Sequence, residues 1–387
     1  MNILLVSGAI PHSSARSGSS LVLAGELSCL AVRHQVTLIT FAPSDAIEQA
    51  ALDHWRAAGV DVRPVGGMIP VSLVHLKRRI ERARNMFLGH HPRGRLGGPD
   101  RRTQAAIDRA LATGSFDIAQ IENIGVGEYV LPTSLPRVLI EHEVGRSLGD
   151  DPDAWTRAQP ELWRQFDRIQ VFTEGDAASA RAVAPDLADR LRVNPFGIDS
   201  LPVSDPALEE PATLLFVGGF DHLPNVEAAM WLAREIIPAL AQRRPDVRLL
   251  LVGHAPPPAV RRLENDRITV TGGVPSVAPY FDRASVVVAP VREGGGMRRK
   301  VLEAMSRGKP VVTTTLGTEG LARSHGPLPV AIADTVSGLV NCTAALLDDV
   351  PGRRALADRA RAFVARHHGW SAYADRLDAI YAELVQP

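Results

Sequence analysis

The sequence predicts an α/β protein built from two doubly wound domains with parallel sheets. Three observations carry that expectation. Apolar, β-branched runs alternate with helical segments along the chain. Each run leads into a loop containing glycine, proline or polar residues. A proline-rich stretch at 194–213 then splits the alternation into two halves. The chain has 387 residues, too many for one ordinary core. The expected division is 1–195, a linker at 196–212, a second domain at 213–368 and a closing helix at 369–387, able to cross back onto the first domain.

Ile3–Val6 reads as a buried strand, followed by a Gly/Ser/Pro loop and an apolar helix from about Leu21 to Val32. Val36–Phe41 is the second strand, so the opening is a βαβ unit. The loop lacks GxGxxG and no acidic residue ends the second strand, which disfavours a nicotinamide dehydrogenase. A Walker-type GxxxxGK[ST] is also missing from the sequence. Gly18 and Ser19 lie where such a loop meets a ligand, or simply turn the chain. A helix at Ala46–Ala58 and strands at Val60–Val65, Ile118–Glu122, Val138–Glu143 and Ile169–Thr173 continue the pattern. Strand ends in such sheets gather ligands, which marks Glu122 and Glu141-His142-Glu143 as acceptor-side candidates. His142 fits either a satisfied structural histidine or a group facing a substrate. Thr173 is placed to cap the next helix. Asp151-Pro152-Asp153 spells DxD but follows no apolar strand, so it reads as a coincidence in a loop.

Residues 75–102 hold nine cations against Glu81 and Asp100, a local balance of +7 with apolar residues interspersed. Two readings stand: a solvated helix face with a loop after it, or contact with an anionic membrane surface.

In the second half, strands at Leu214–Val217, Val247–Val252, Ile268–Thr271 and Ser285–Ala289 each end in glycine or proline. A helix at Val226–Ala241 carries Asn225 as its expected N-cap. Helices at Val350–His368 and Trp370–Val385 close the chain. The most informative stretch is Val286–Leu321, read as strand, Gly294-Gly295-Gly296 loop, helix from Met297, a stop at Gly308 and a strand at Val311. Such a loop aims backbone N–H groups and a helix N-terminus at one spot, which suits phosphate. Arg298 and Lys300 oppose the helix dipole there, a conflict that an anion would remove. Lysine is scarce, with only Lys77, Lys300 and Lys309. Glu303 has two readings, an ion pair with Arg299 or Arg307, or a carboxylate for ligand hydroxyls.

Composition narrows the function classes. The 43 basic and 43 acidic residues cancel, which gives no support to a nucleic-acid-binding role. Cys29 and Cys342 have no metal-ligand spacing and build no disulfide framework, so a reducing cytoplasm fits. No segment approaches the roughly 20 apolar residues of a membrane span.

GGGMRRKVLEAMSRGKPVV followed by GTEGL resembles the donor-site motif of the retaining glycosyltransferases of family 4, in the branch with a GGGTRLK-type loop. FVGGFDHLPNVEAAMWL, FDRIQVFTEGD, EHEV and WSAYADRLDAIY extend the resemblance over nearly the whole chain. It implies the GT-B fold, two Rossmann-like domains facing a central cleft. It further implies a metal-independent transfer of sugar from a nucleotide diphosphate donor to a sugar or lipid-linked hydroxyl acceptor, in bacterial envelope polysaccharide or glycolipid synthesis. No cofactor is expected. By resemblance, Glu303 holds the ribose, Arg298 and Lys300 neutralise the diphosphate, and Gly294–Gly296 admit sugar and phosphates. Gly219 and Phe220 end the first strand of the donor domain, Gly272 and Val274 lie near the base, and His142 contacts the transferring sugar. The family's Arg and Lys after that first strand align with Gly219 and Pro224, and its other motif glutamate with Gly295. The diphosphate clamp then rests on Arg298 and Lys300. A GT-B nucleotide-sugar epimerase and a non-catalytic binding protein are the alternatives.

Overall fold

A computed structural model describes residues 1–12, 18–66, 101–123, 129–142, 144, 152–321 and 326–385. The chain divides into two compact units, Met1–Gly197 with Trp370–Pro387, and Ile198–Gly369.

The first unit is built on seven strands: β1 (Asn2–Ser7), β2 (Gln35–Phe41), β3 (Asp61–Val65), β4 (Ile118–Glu122), β5 (Arg137–Ile140), β6 (Arg168–Val171) and β7 (Leu191–Val193). All pairings are parallel and the order is β3-β2-β1-β4-β5-β6-β7. Helices α1 (Gly18–Arg33), α2 (Ala46–Ala57), α3 (Arg101–Thr113), α4 (Pro152–Trp163) and α5 (Glu174–Val183) accompany them. Leu4, Ile39, Ile121, Leu139 and Ile169 carry the apolar core from strand to strand. Thr173 caps α5, its Oγ1 accepting from the Asp176 N–H at 2.9 Å. Of the basic stretch 75–102, residues 75–100 lie outside the described residues; Arg101 and Arg102 open α3. Asp151 and Glu143 also lie outside them, and Asp153 stands in the first turn of α4 rather than in a loop.

The second unit repeats the plan with six strands: β8 (Thr213–Val217), β9 (Arg248–Val252), β10 (Ile268–Gly272), β11 (Val286–Ala289), β12 (Val311–Thr313) and β13 (Ala331–Ile332). Their order is β10-β9-β8-β11-β12-β13, again parallel throughout. After β8 come α6 (Leu223–Trp231), a π-helical turn at Leu232–Ile236 and α7 (Ile237–Ala241). Pro238 at the start of α7 has no N–H to continue an α-helical ladder. Short helices α8 (Pro258–Arg261) and α9 (Ala278–Arg283) follow, then α10 (Arg299–Ser306), α11 (Val336–Asp348) and α12 (Val350–His367). Gly308 stops α10 with φ +69°, and the Lys309 N–H returns to the Ala304 carbonyl at 2.9 Å.

Two expectations are corrected. The segment 196–212 is not a free linker from Ile198 onward, because the second unit satisfies its backbone donors. Leu201 donates to Ser306 Oγ, Ser204 to the Arg307 carbonyl and Glu210 to the Arg283 carbonyl. Nor is Asn225 an N-cap: α6 starts two residues earlier, behind His222.

The last helix, α13 (Trp370–Ala382), packs in the first unit. Trp370 is wedged between two glycines. A Cβ on Gly25 would stand 1.9 Å from its indole, and one on Gly197 2.8 Å from its Cα. With backbone on the far side the indole cannot retreat. Gly25→Ala is therefore expected to destabilise the protein by about 1–3 kcal/mol, the usual cost of overpacking, read as a lowered midpoint in thermal or urea unfolding.

Candidate functional site

Parallel strands in the order 3-2-1-4 leave a crevice outside their carboxyl ends, where the crossovers diverge. In the second unit this switch point lies between β8 and β11. The strand ends there are stripped of side chains. A Cβ on Gly253, after β9, would meet the Gly218 carbonyl oxygen at 1.9 Å, so only glycine permits this approach. A Cβ on Gly219 would stand 2.5 Å from the imidazole of His254, whose Nε2 lies 3.1 Å from Asp221 Oδ1.

The loop after β11 reaches the same edge. Gly294 and Gly296 have φ of +91° and +76°, the left-handed region that favours glycine. Arg298, almost wholly buried, donates through Nη1 to the Gly295 carbonyl at 2.9 Å and through Nη2 to that of Gly294. These bonds hold the loop's shape and add positive charge behind it, a task that the sequence reading did not foresee for this residue.

Lys300, in the first turn of α10, reaches back under the end of β8. Its ammonium donates to Asn225 Oδ1 and lies 4.9 Å from the centre of the Phe216 ring. Asn225 Nδ2 in turn donates to the Gly219 carbonyl at 2.7 Å. Burial, and then the nearby Arg298, lower the Lys300 pKa to about 7. His222 joins this group. Its pKa is lowered by desolvation first and by Lys300 and Arg298 next, although much of the residue remains exposed. Two basic side chains and a histidine whose protonation they disfavour thus converge beside a glycine loop and a helix start, an arrangement that suits an anion.

Glu303, one turn further along α10, pairs with Arg307 at 3.3 Å, and Arg307 also lies over Phe281. Gly272 ends β10 with φ +70°, and Val274 follows it half-buried. Phe220 is buried beside Phe216 and so packs rather than lines an open surface.

In the first unit, Glu122 is buried at the end of β4, and its Oε2 lies 2.9 Å from His142 Nε2. It is therefore a partner of His142 rather than an exposed acceptor contact. Glu141 is buried and accepts from Trp163 Nε1 at 2.9 Å, which makes it structural. Gly18 and Ser19 open α1, and the loop before them lies outside the described residues. Under Glu122 stands a second carboxyl group, Glu26 of α1, fully buried and hydrogen-bonded to it. Burial and the Glu122 charge push the Glu26 pKa well up. Burial raises Glu122 to about 7, while hydrogen bonds from Gln120 and Glu26 hold it down. Sequence reasoning missed His222, His254, Glu26, Gln120 and Tyr373. The available signal was polar residues set inside apolar elements, as in LVLAGELSCL and IAQIE.

Similarity to known proteins follows this geometry. Residues 211–349 match the family model described as glycosyl transferases group 1, a match confined to the second unit. Over nearly the whole chain the fold is that of GT-B glycosyltransferases. Sucrose-phosphate synthase from Thermosynechococcus elongatus superposes with a TM-score of 0.67 at 18% identity, covering 99% of this chain and 98% of that one. HepE from Anabaena, solved with UDP-glucose, gives 0.69 at 16% identity, covering 99% and 100%. An uncharacterised 44.6 kDa protein in the cps region of Klebsiella pneumoniae is 24% identical over 181 residues. That match spans 44% of this chain and 45% of that protein. No helix among the described residues is long and apolar enough to cross a membrane.

The environment of Lys300 has a direct spectroscopic consequence. After reductive ¹³C-methylation the three lysines give few signals. One of them, absent in Lys300→Ala, is expected to titrate with a midpoint near 7 rather than the usual value of about 10.4. By linkage, a depressed lysine costs stability in full below that midpoint, and the cost fades as pH rises toward the unfolded value. Lys300→Met is therefore expected to gain most over the wild type below pH 7, checked by unfolding at several pH values.

Proposed function

We propose that this protein is a retaining, metal-independent glycosyltransferase of the family 4 type, using a nucleoside diphosphate sugar as donor. The observation that carries the reading is the desolvated Lys300 ammonium at the β8/β11 switch point, held by Asn225 beside the Gly294–Gly296 loop. As the glycosidic bond breaks, charge grows on the leaving diphosphate. Preorganised cations and N–H groups in a water-poor site stabilise that charge more than they stabilise the bound donor. Lys300 would contact the diphosphate directly, with Arg298 shaping the loop and adding field from behind. Binding an anion restores the Lys300 proton, so donor binding above pH 7 is coupled to proton uptake.

Glu303 would exchange its loose pair with Arg307 for ribose hydroxyls, and Gly272 and Val274 would flank the base. His142 would be the first unit's contact with the transferring sugar. Retention would follow from attack by the acceptor hydroxyl on the face that the diphosphate leaves, whose oxygen takes the hydroxyl proton. HepE was solved with UDP and with UDP-glucose, and the Klebsiella relative is described by its cps region. UDP is accordingly the first nucleotide to try, and an envelope polysaccharide or glycolipid precursor the first acceptor. Peripheral contact with anionic lipid through residues 75–102 is part of the same proposal.

The test is a thermal-shift plate with UDP, GDP, ADP, dTDP and their sugar conjugates, followed by transfer assays with the nucleotide that stabilises. One nucleotide is expected to raise the melting point, more at pH 6 than at pH 8.5, and not in Lys300→Ala. The same variant is expected to lose about 2–4 kcal/mol of transition-state stabilisation in kcat/KM, the scale of one charge-stabilising donor. Binding without transfer to any acceptor would favour the non-catalytic alternative.

A further inference from the structure

We infer that Glu122 is the positioning residue of His142, and that a one-way chain of hydrogen bonds from the last helix fixes Glu122 as an acceptor. The chain begins at Arg376 of α13, whose guanidinium can only donate. Its Nε donates to Asn194 Oδ1 at 2.7 Å, which turns the amide so that Nδ2 donates to Gln170 Oε1 at 2.9 Å. Gln170 must then present Nε2 to the Tyr373 hydroxyl oxygen, at 3.0 Å. With that oxygen accepting, the Tyr373 O–H is directed to Glu26 Oε2.

A second branch has the same sense. The Tyr381 hydroxyl donates to Gln120 Oε1, so Gln120 Nε2 faces both carboxyl groups and donates to Glu122 Oε1 at 2.6 Å. Every donor in the chain therefore points toward the Glu26–Glu122 pair. Tyr373 and Gln120 both donate to Glu26, Gln120 also occupies Glu122 Oε1, and Glu122 Oε2 is left to accept from His142. A carboxyl oxygen accepting at Nε2 selects the imidazole tautomer that carries its proton there. The edge of the ring is held as well, 5.1 Å from Phe172 and nearly perpendicular to it, and Phe172 packs likewise on Phe196. Glu122 and Phe172 thus bear on both the tautomer and the orientation of the ring.

The inference deepens the role given to His142 and rests on that reading for its functional meaning, but its test needs no substrate. Imidazole ¹⁵N spectra of the full chain, with the His142 signals assigned by their loss in His142→Ala, are expected to show the proton on Nε2. Glu122→Gln, whose amide can donate or accept, is expected to mix the two tautomers. Tyr373→Phe, which touches no histidine, is expected to move the His142 nitrogens while leaving the other rings in place. A wild-type proton on Nδ1 would overturn the inference, even if Glu122→Gln fails to fold. Identical His142 signals in Tyr373→Phe would overturn the chain. Once an acceptor is found, Glu122→Gln is expected to lower kcat about 10- to 100-fold, the scale for partners that orient a reactive ligand, with donor KM within about twofold. Failure of transfer in the wild type would count against the proposed function and leave the spectroscopic result standing.

Discussion

Parallel pairing in both sheets forces every strand of a unit to end on the same edge, and the rest of the site depends on that constraint. The crossovers leave β8 and β11 in opposite directions, so two loops diverge where the sheet stops. Glycines at 218, 219 and 253 keep that edge bare, and the Gly253 contact shows how little room remains. A side chain from elsewhere must occupy the vacant ground. Lys300 does so by reaching back from α10, at the cost of its own hydration.

The two units bury charge in opposite ways. In the second, an amine loses solvation beside Arg298, which disfavours protonation. In the first, two carboxyl groups are buried together, which favours retention of a proton between them. Neither arrangement improves stability taken alone, since an uncompensated buried charge costs more than an exposed one. Both are supported by oriented amides, Asn225 in one unit and Gln120, Gln170 and Asn194 in the other. An amide offers a donor and an acceptor on one rigid plane, so each one passes hydrogen-bond direction along without adding charge.

The strands were legible in the sequence because a buried parallel strand must be apolar on both faces, and Ile3–Val6 and Val286–Ala289 admit no other reading. The Gly294–Gly296 loop and the stop at Gly308 were legible because positive φ selects glycine. Short edge strands such as β7 and β13 left too little pattern to be seen. The task of Asn225 was misread, since an asparagine before an apolar run is locally a cap, and only the tertiary contact with Gly219 and Lys300 says otherwise. The partners of Glu122 were beyond reach for a similar reason. Glu26 and Tyr373 are 347 residues apart in the chain, and no local rule joins them.

Why lysine stands at position 300 and arginine at 298, in a chain so poor in lysine, follows from what each cation must do. Arg298 bonds carbonyl oxygens of consecutive loop residues, and a planar fork with several donors suits that task. A lysine there could reach one carbonyl and leave the loop less defined. At position 300 the need is reversed. The side chain lies over Phe216 and, among the described residues, hydrogen-bonds Asn225, so a compact ammonium fits where a guanidinium would leave donors unpaired. Only lysine can also shed its proton when no anion is present, because the arginine pKa is too high to shift into the neutral range. Under the proposed function, the site would then carry less positive charge at rest and gain it as an anionic ligand binds. Exchanging the two residues would conserve total charge and lose both sets of contacts.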